Sequence, residues 1–124
     1  MTNYNESFDP PAPLAEIILR NIETGERVKT VSVLLDTGAD VSLLPASAIG
    51  KLNIEPSGER VKLVGFDESE NIADAYTLQI IFLGKRLTGD YCAIDDETGI
   101  LGRDVLNQFS IIFDGKSLEW KEEK

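Results

Sequence analysis

The sequence predicts a small all-β domain of closed, barrel-like form with one or two short helices. Three observations predict it. The apolar runs are short, and they are rich in Val, Ile, Leu, Phe and Tyr. Turn-forming groups such as Glu23-Thr24-Gly25-Glu26 and Asp114-Gly115 separate them at regular spacing. One run alternates cleanly: in AYTLQIIFL, Tyr76, Leu78, Ile80 and Phe82 share one face, and Thr77, Gln79 and Ile81 the other. The 124 residues suffice for one such domain and not comfortably for two, and a hydrophobic content of 42% is enough for a core without staples.

The elements follow in order. Residues 1–13, MTNYNESFDPPAP, are polar and carry Pro10, Pro11 and Pro13. They read as a flexible tail or arm, with the folded domain over 14–124. LAEIILRNI (14–22) reads as a strand, ETGE as a turn and RVKTVSVLL (27–35) as the returning strand. VSLLP (41–45) is short and apolar, and Pro45 suits the first turn of a helix in PASAIGKL. ERVKLVGF (59–66) is another strand, and DESEN (67–71) a polar turn or hairpin tip. After AYTLQIIFL (75–83), Gly84-Lys85 is expected to turn tightly into RLTGDYCAI. TGILG (98–102) leads into RDVLNQF, where Val105, Leu106 and Phe109 have helical spacing. SIIFDGKSLEW closes the chain as a hairpin on its Asp114-Gly115 turn.

Composition excludes several function classes. The net charge is −10 and the sequence pI about 4.4, which argues against nucleic acid or an anionic membrane as partner. No apolar run reaches membrane-spanning length, and the N-terminal residues carry no apolar secretion segment. The single cysteine, Cys92, forms no intrachain disulfide and reads as a small buried hydrophobe. A soluble, cytoplasmic protein is the expectation. With no histidine, Ser-His and Cys-His mechanisms and His-based zinc sites are excluded. The acidic group Asp95-Asp96-Glu97 lacks an ordered calcium-loop pattern and reads as a surface turn, so no metal or cofactor is expected. Trp120 either anchors a sheet between subunits or covers the core.

Three triplets of the form acid-Thr-Gly occur: Glu23-Thr24-Gly25, Asp36-Thr37-Gly38 and Glu97-Thr98-Gly99. The outer two have polar surroundings and read as turns. The middle one lies between VSVLL and VSLLP, so apolar strands carry it inward from both sides. A carboxylate delivered to such a place must be paired, hydrogen-bonded or protonated. Further on, Ile100-Leu101-Gly102 precedes a helix at Arg103, and its glycine suits close backbone approach.

Together, the Asp-Thr-Gly-Ala-Asp block, a mid-chain hairpin and Ile-Leu-Gly-Arg-Asp-Val-Leu before an apolar strand resemble the retroviral-type aspartic proteases, or retropepsins. The resemblance spans residues 14–115 in order and spacing and leaves the two ends uncovered. It implies a single-lobe acid-protease fold and peptide-bond hydrolysis by water activated between two aspartates. This chemistry requires no covalent intermediate, metal or histidine. One chain supplies one Asp-Thr-Gly, so the resemblance implies a two-fold homodimer with one Asp36 from each subunit and a polypeptide as substrate.

The same resemblance assigns expected roles. Asp36, Thr37 and Gly38 form the catalytic loop, with the Thr37 hydroxyl bracing it across the dimer. Ala39 and Asp40, with Val64, Gly65 and Phe66 of the hairpin, contact substrate, and the Ala39 carbonyl helps hold it. Ile100, Leu101, Gly102 and Arg103 support the loop, and Asp40 is expected to pair with Arg103. Residues 61–82 match the flap that closes over substrate in this family. The tip departs from the glycine-rich retroviral pattern: Gly65 is its one glycine, and Asp67, Glu68 and Glu70 make it acidic. Two such tips repel less in acid, so activity is expected to be best below neutral pH. The alternative left open is a protease-like dimeric binding or assembly module with little or no catalytic activity.

Overall fold

A computed structural model describes residues 1–65 and 67–124. Along the chain run β1 (Thr2–Asn3), β2 (Leu14–Arg20), β3 (Arg27–Leu35), β4 (Leu43–Pro45), α1 (Ala46–Gly50), β5 (Arg60–Val64), β6 (Glu70–Phe82), β7 (Lys85–Ile94), β8 (Gly99–Leu101), α2 (Arg103–Leu106), β9 (Ile111–Asp114) and β10 (Glu119–Glu122). The strands follow the order β2-β3-β8-β4-β7-β6, and β6 pairs back onto β2. Six strands therefore close a barrel, as the all-β expectation required, and closure leaves its wall without an open edge.

Inward-facing side chains fill this barrel. Ile17 and Leu19 of β2, Val33 of β3, Leu44 of β4, Leu78 and Ile80 of β6 and Leu101 of β8 are each at most 1% exposed. Burying each of these contributes about 1.5–3 kcal/mol. Leu52, just past α1, closes one side of the same core. Strand β6 serves two structures. Its residues 75–82 pair with β7 inside the barrel wall, while residues 70–74 pair with β5. The β5–β6 hairpin is thus an extension of a barrel strand, anchored by the buried half of β6.

Local chemistry sets the turns. Asn21 Oδ1 accepts the N–H groups of Glu23 and Thr24, and Gly25 takes a φ of 77°, closing the β2–β3 turn. Between β6 and β7, Phe82 faces Lys85, so the turn residues are Leu83 and Gly84, one position earlier than expected. Both have positive φ, which a two-residue turn matching the strand twist demands. The final hairpin is present but is no two-residue Asp-Gly turn. Asp114 pairs with Glu119, residues 115–118 span the gap, and Leu118 carries the positive φ.

Residues 1–13, read from sequence as a tail or arm, run against the barrel. β1 pairs with β10, which pairs with β9, making a second sheet of three strands. Pro13 O accepts Leu35 N–H at 3.0 Å. Trp120 of β10 covers the core: it is 4% exposed, its Nε1–H donates to Leu14 O at 3.0 Å, and its ring centre lies 6.1 Å from that of Phe82. Cys92 is buried in β7, and burial raises its thiol pKa, with the charge of Asp104 adding to the effect.

Candidate active site

Asp36 follows the last residue of β3. There β3 runs parallel to β8, with Leu34 opposite Ile100 and Leu35 opposite Leu101. The parallel register puts the Asp-Thr-Gly loop beside Ile-Leu-Gly, and Asp36 N–H continues the ladder to Leu101 O at 3.0 Å. Strand β8 lies between β3 and β4, so residues 36–42 must cross its end. That crossing explains Gly102, and the close flanking of β8 by β4 explains Gly99. A Cβ on Gly102 would lie 2.8 Å from the Val41 carbonyl and 2.9 Å from Ala39 O. A Cβ on Gly99 would lie 2.6 Å from Leu43 O. Neither contact is tolerable for a real side chain, and both partners are backbone.

The loop is pinned from within and from α2. Gly38 N–H donates to Asp36 Oδ1 at 2.8 Å, and Ala39 N–H to Asp36 O at 3.2 Å. Arg103 N–H donates to Ala39 O at 2.9 Å, and Arg103 Nη1–H to Thr37 O at 2.6 Å. The carboxylate of Asp36 is thus oriented through one oxygen, while among the described residues Oδ2 accepts nothing. The expected Asp40–Arg103 ion pair is not formed. Among the described residues the ion pairs are Arg60–Asp74 and Lys62–Glu70, both on the β5–β6 hairpin. Arg103 reaches the Thr37 carbonyl instead, because its own backbone is already bonded to the loop at Ala39.

A second bracket lies beneath the loop. Ser42, 1% exposed, donates Oγ–H to Asp104 Oδ1 at 2.6 Å and N–H to Asp104 Oδ2 at 3.0 Å. Its Oγ accepts Gly102 N–H at 2.9 Å. One serine therefore joins the far end of the Asp36 loop, the Ile-Leu-Gly turn and the first turn of α2.

Above the loop, the β5–β6 hairpin encloses a cleft of 460 Å³, within the range of ligand sites. Asp36, Gly38, Ala39 and Asp40 line one wall with Val41 and Leu43, residues 61–65 line the other, and Ile100 also contributes. Val64 and Gly65, expected to contact substrate, stand on the hairpin wall, and Phe66 lies outside the described residues. Thr37 and Arg103 are exposed beside the cleft and do not line it, and Leu101 and Gly102 are buried beneath the loop. At the tip, Asp67 Oδ1 accepts Ser69 N–H at 3.0 Å, and the hydrogen bonds from Ser69 hold the Asp67 carboxyl below its usual range. A larger cavity of 520 Å³ lies between the N-terminal arm and the barrel. Its lining holds one charged group, Glu16, and so offers no pair for acid–base work.

A family model described as aspartyl protease matches residues 21–105. The chain belongs to this family. Among solved structures it is similar to EIAV protease complexed with the inhibitor HBY-793. That match has 23% sequence identity and a TM-score of 0.60, covering 78% of this chain and 86% of the other. The fold is that of the single-lobe, retropepsin-like proteases. A comparison with curated proteins returned no match.

Within this aspartyl protease chain, sequence reasoning missed part of the apolar hairpin wall. Val64 and Gly65 of that wall were named from sequence, but Val61 and Leu63 were not; they are half-buried where Arg60, Lys62 and Val64 are exposed along β5. It also missed Ser42, for which a serine inside the apolar run VSLLP carries no signal. Asp104, within the Ile-Leu-Gly-Arg-Asp block, is the partner of Ser42.

Proposed function

We propose that the chain is an aspartic endopeptidase acting as a homodimer, with one Asp36 from each subunit forming the dyad. The observation that carries this reading is a single half-buried aspartate per chain, oriented by Gly38 N–H at the mouth of a peptide-sized cleft. Membership of the aspartyl protease family supports it. So does Thr37, whose hydroxyl makes no hydrogen bond within the described chain and is free to bond across a two-fold axis.

In this mechanism the two carboxylates share one proton, because like charges so close cannot both ionise readily. The unprotonated Asp36 takes a proton from water as the water attacks the scissile carbonyl. The protonated Asp36 donates a hydrogen bond, then its proton, to the carbonyl oxygen. The tetrahedral gem-diol collapses as the Asp36 that took the water proton passes it to the leaving nitrogen and a diol hydroxyl returns its proton to the other Asp36, which breaks the C–N bond, forms the carboxylic acid and restores the shared proton. Gly38 and Ala39 leave room for an extended peptide beside the dyad. The Ala39 carbonyl already accepts Arg103 N–H, so one lone pair remains for substrate. The β5–β6 hairpin acts as the flap, excluding water through Val61 and Leu63.

The test is digestion of an unfolded, mixed-sequence protein across pH 3–7, with wild type beside Asp36→Asn and mass-spectrometric readout. Cleavage by wild type alone is expected, with the Asp36→Asn rate lower by at least about a thousandfold. Equal cleavage by both would remove Asp36 from the mechanism. The rate maximum is expected below pH 7, because the acidic tips repel less as pH falls toward the carboxylate range.

A further inference from the structure

Of the charged groups lining the cleft, one lacks a partner. Asp36 belongs to the proposed dyad. Lys62 Nζ is neutralised by Glu70 at 2.9 Å. Asp40 stands on the wall of the cleft, exposed, and among the described residues no ion pair or hydrogen bond reaches its carboxylate. Arg103, the cation expected to pair with Asp40, has its guanidinium on Thr37 O. The walls around Asp40 are otherwise largely apolar, with Leu43, Val61, Leu63 and Ile100 among them. Asp40 is exposed, so solvent and salt screen its charge, but on the cleft wall it remains a negative group available to a cation in a bound peptide.

We infer that Asp40 makes the cleft select peptides carrying a lysine or arginine close to the bond that is cut. The inference rests on reading the cleft as a peptide site. Asp40 is four positions from Asp36 on one loop, which a fully extended chain spans in at most about 14 Å, so the cation lies within about four residues of the scissile bond. A two-fold dimer places a second Asp40 across the axis, so the preference extends to both sides of that bond. Apolar residues at the cleavage point with a cation at either flank define the substrate class.

The experiment uses matched peptides with a central apolar pair and Lys, Ala or Glu at one flanking position. The ratio of kcat/KM for Lys over Glu peptides is measured for wild type, Asp40→Asn and Asp95→Asn, the last removing a charge in a surface turn away from the cleft. Binding of the same peptides to Asp36→Asn, with and without Asp40→Asn, is read in parallel by fluorescence anisotropy. The expected ratio is about two- to fivefold in wild type and Asp95→Asn, the size of an exposed ion pair. It falls to near one in Asp40→Asn and shrinks at high salt. A ratio near one in wild type, or one unchanged by Asp40→Asn, overturns the inference. If no peptide is cut but Lys peptides bind through Asp40, the selection of cationic peptides by the cleft stands and the protease reading falls. If the peptides are neither cut nor discriminated in binding, the inference falls as well.

Discussion

Arg103 donates its Nη1 hydrogen to the carbonyl of Thr37 at 2.6 Å, across 66 positions of sequence, and leaves Asp40 alone. With Arg103 N–H on Ala39 O, one residue of α2 holds two carbonyls of the Asp36 loop. The support for the loop is therefore backbone-directed, and among the described residues the Asp40 carboxylate is left without an ion-pair partner.

Replacing Arg103 by Ala removes the Thr37 bond and keeps the backbone bond to Ala39. The expected cost in stability is about 1 kcal/mol, because the group is exposed. The loop is looser, so kcat is expected to fall further than stability alone explains. Urea melts and steady-state kinetics of Arg103→Ala check both, and unchanged kcat would show that Thr37 needs no such brace.

Gly102→Ala places a methyl 2.8 Å from the Val41 carbonyl and 2.9 Å from Ala39 O. Backbone cannot rotate away as a side chain does, so about 2 kcal/mol or more of stability is lost. The same change at Gly50, where an added Cβ meets nothing within 4 Å, serves as control and is expected to be near neutral. Thermal denaturation of the two variants separates crowding from the general cost of losing glycine.

Ser42→Ala strands the buried Gly102 N–H and removes one bond to Asp104. A loss of about 1–3 kcal/mol is expected, the cost of an unsatisfied buried donor. Ser42→Thr keeps the hydroxyl and should recover part of it. Hydrogen exchange at Gly102 reads the effect directly: protection drops in Ser42→Ala and returns in Ser42→Thr.

Tyr91 sets an alkaline limit. Its hydroxyl donates to Leu87 O at 3.2 Å, and burial first, then the charges of Asp104 and Asp90, pushes its pKa up to about 12 from 10.0. In the unfolded chain Tyr91 ionises first, so that state gains stability as pH rises. Stability is therefore unaffected by this group below pH 10 and falls between pH 10 and about 12. Melting curves over that range should show the decline in wild type and a smaller one in Tyr91→Phe.

The barrel was legible because burial in a sheet has period two, and β6 displays it from Leu78 to Phe82. The Asp36 loop was legible because two apolar strands enclose a polar triplet. Turn positions were less so. Leu83 adopts a positive φ that its residue type disfavours, because the β6–β7 register demands it, and the span after Asp114 is set by the pairing of β9 with β10. The Ser42–Asp104 bracket was invisible: its members lie 62 positions apart, and only the crossing over β8 brings them together. The Asp40–Arg103 pair was expected from the family resemblance, whereas in this chain the Arg103 guanidinium bonds the Thr37 carbonyl.

The central claim is that two chains build one dyad. Wild type and Asp36→Asn are dissociated, mixed at fixed total concentration, refolded together and assayed as the mutant fraction rises. If each site needs Asp36 from both subunits, activity falls as the square of the wild-type fraction, to roughly one quarter at equal amounts. A linear fall to one half would mean that each chain carries a complete site of its own, and the shared dyad would be wrong.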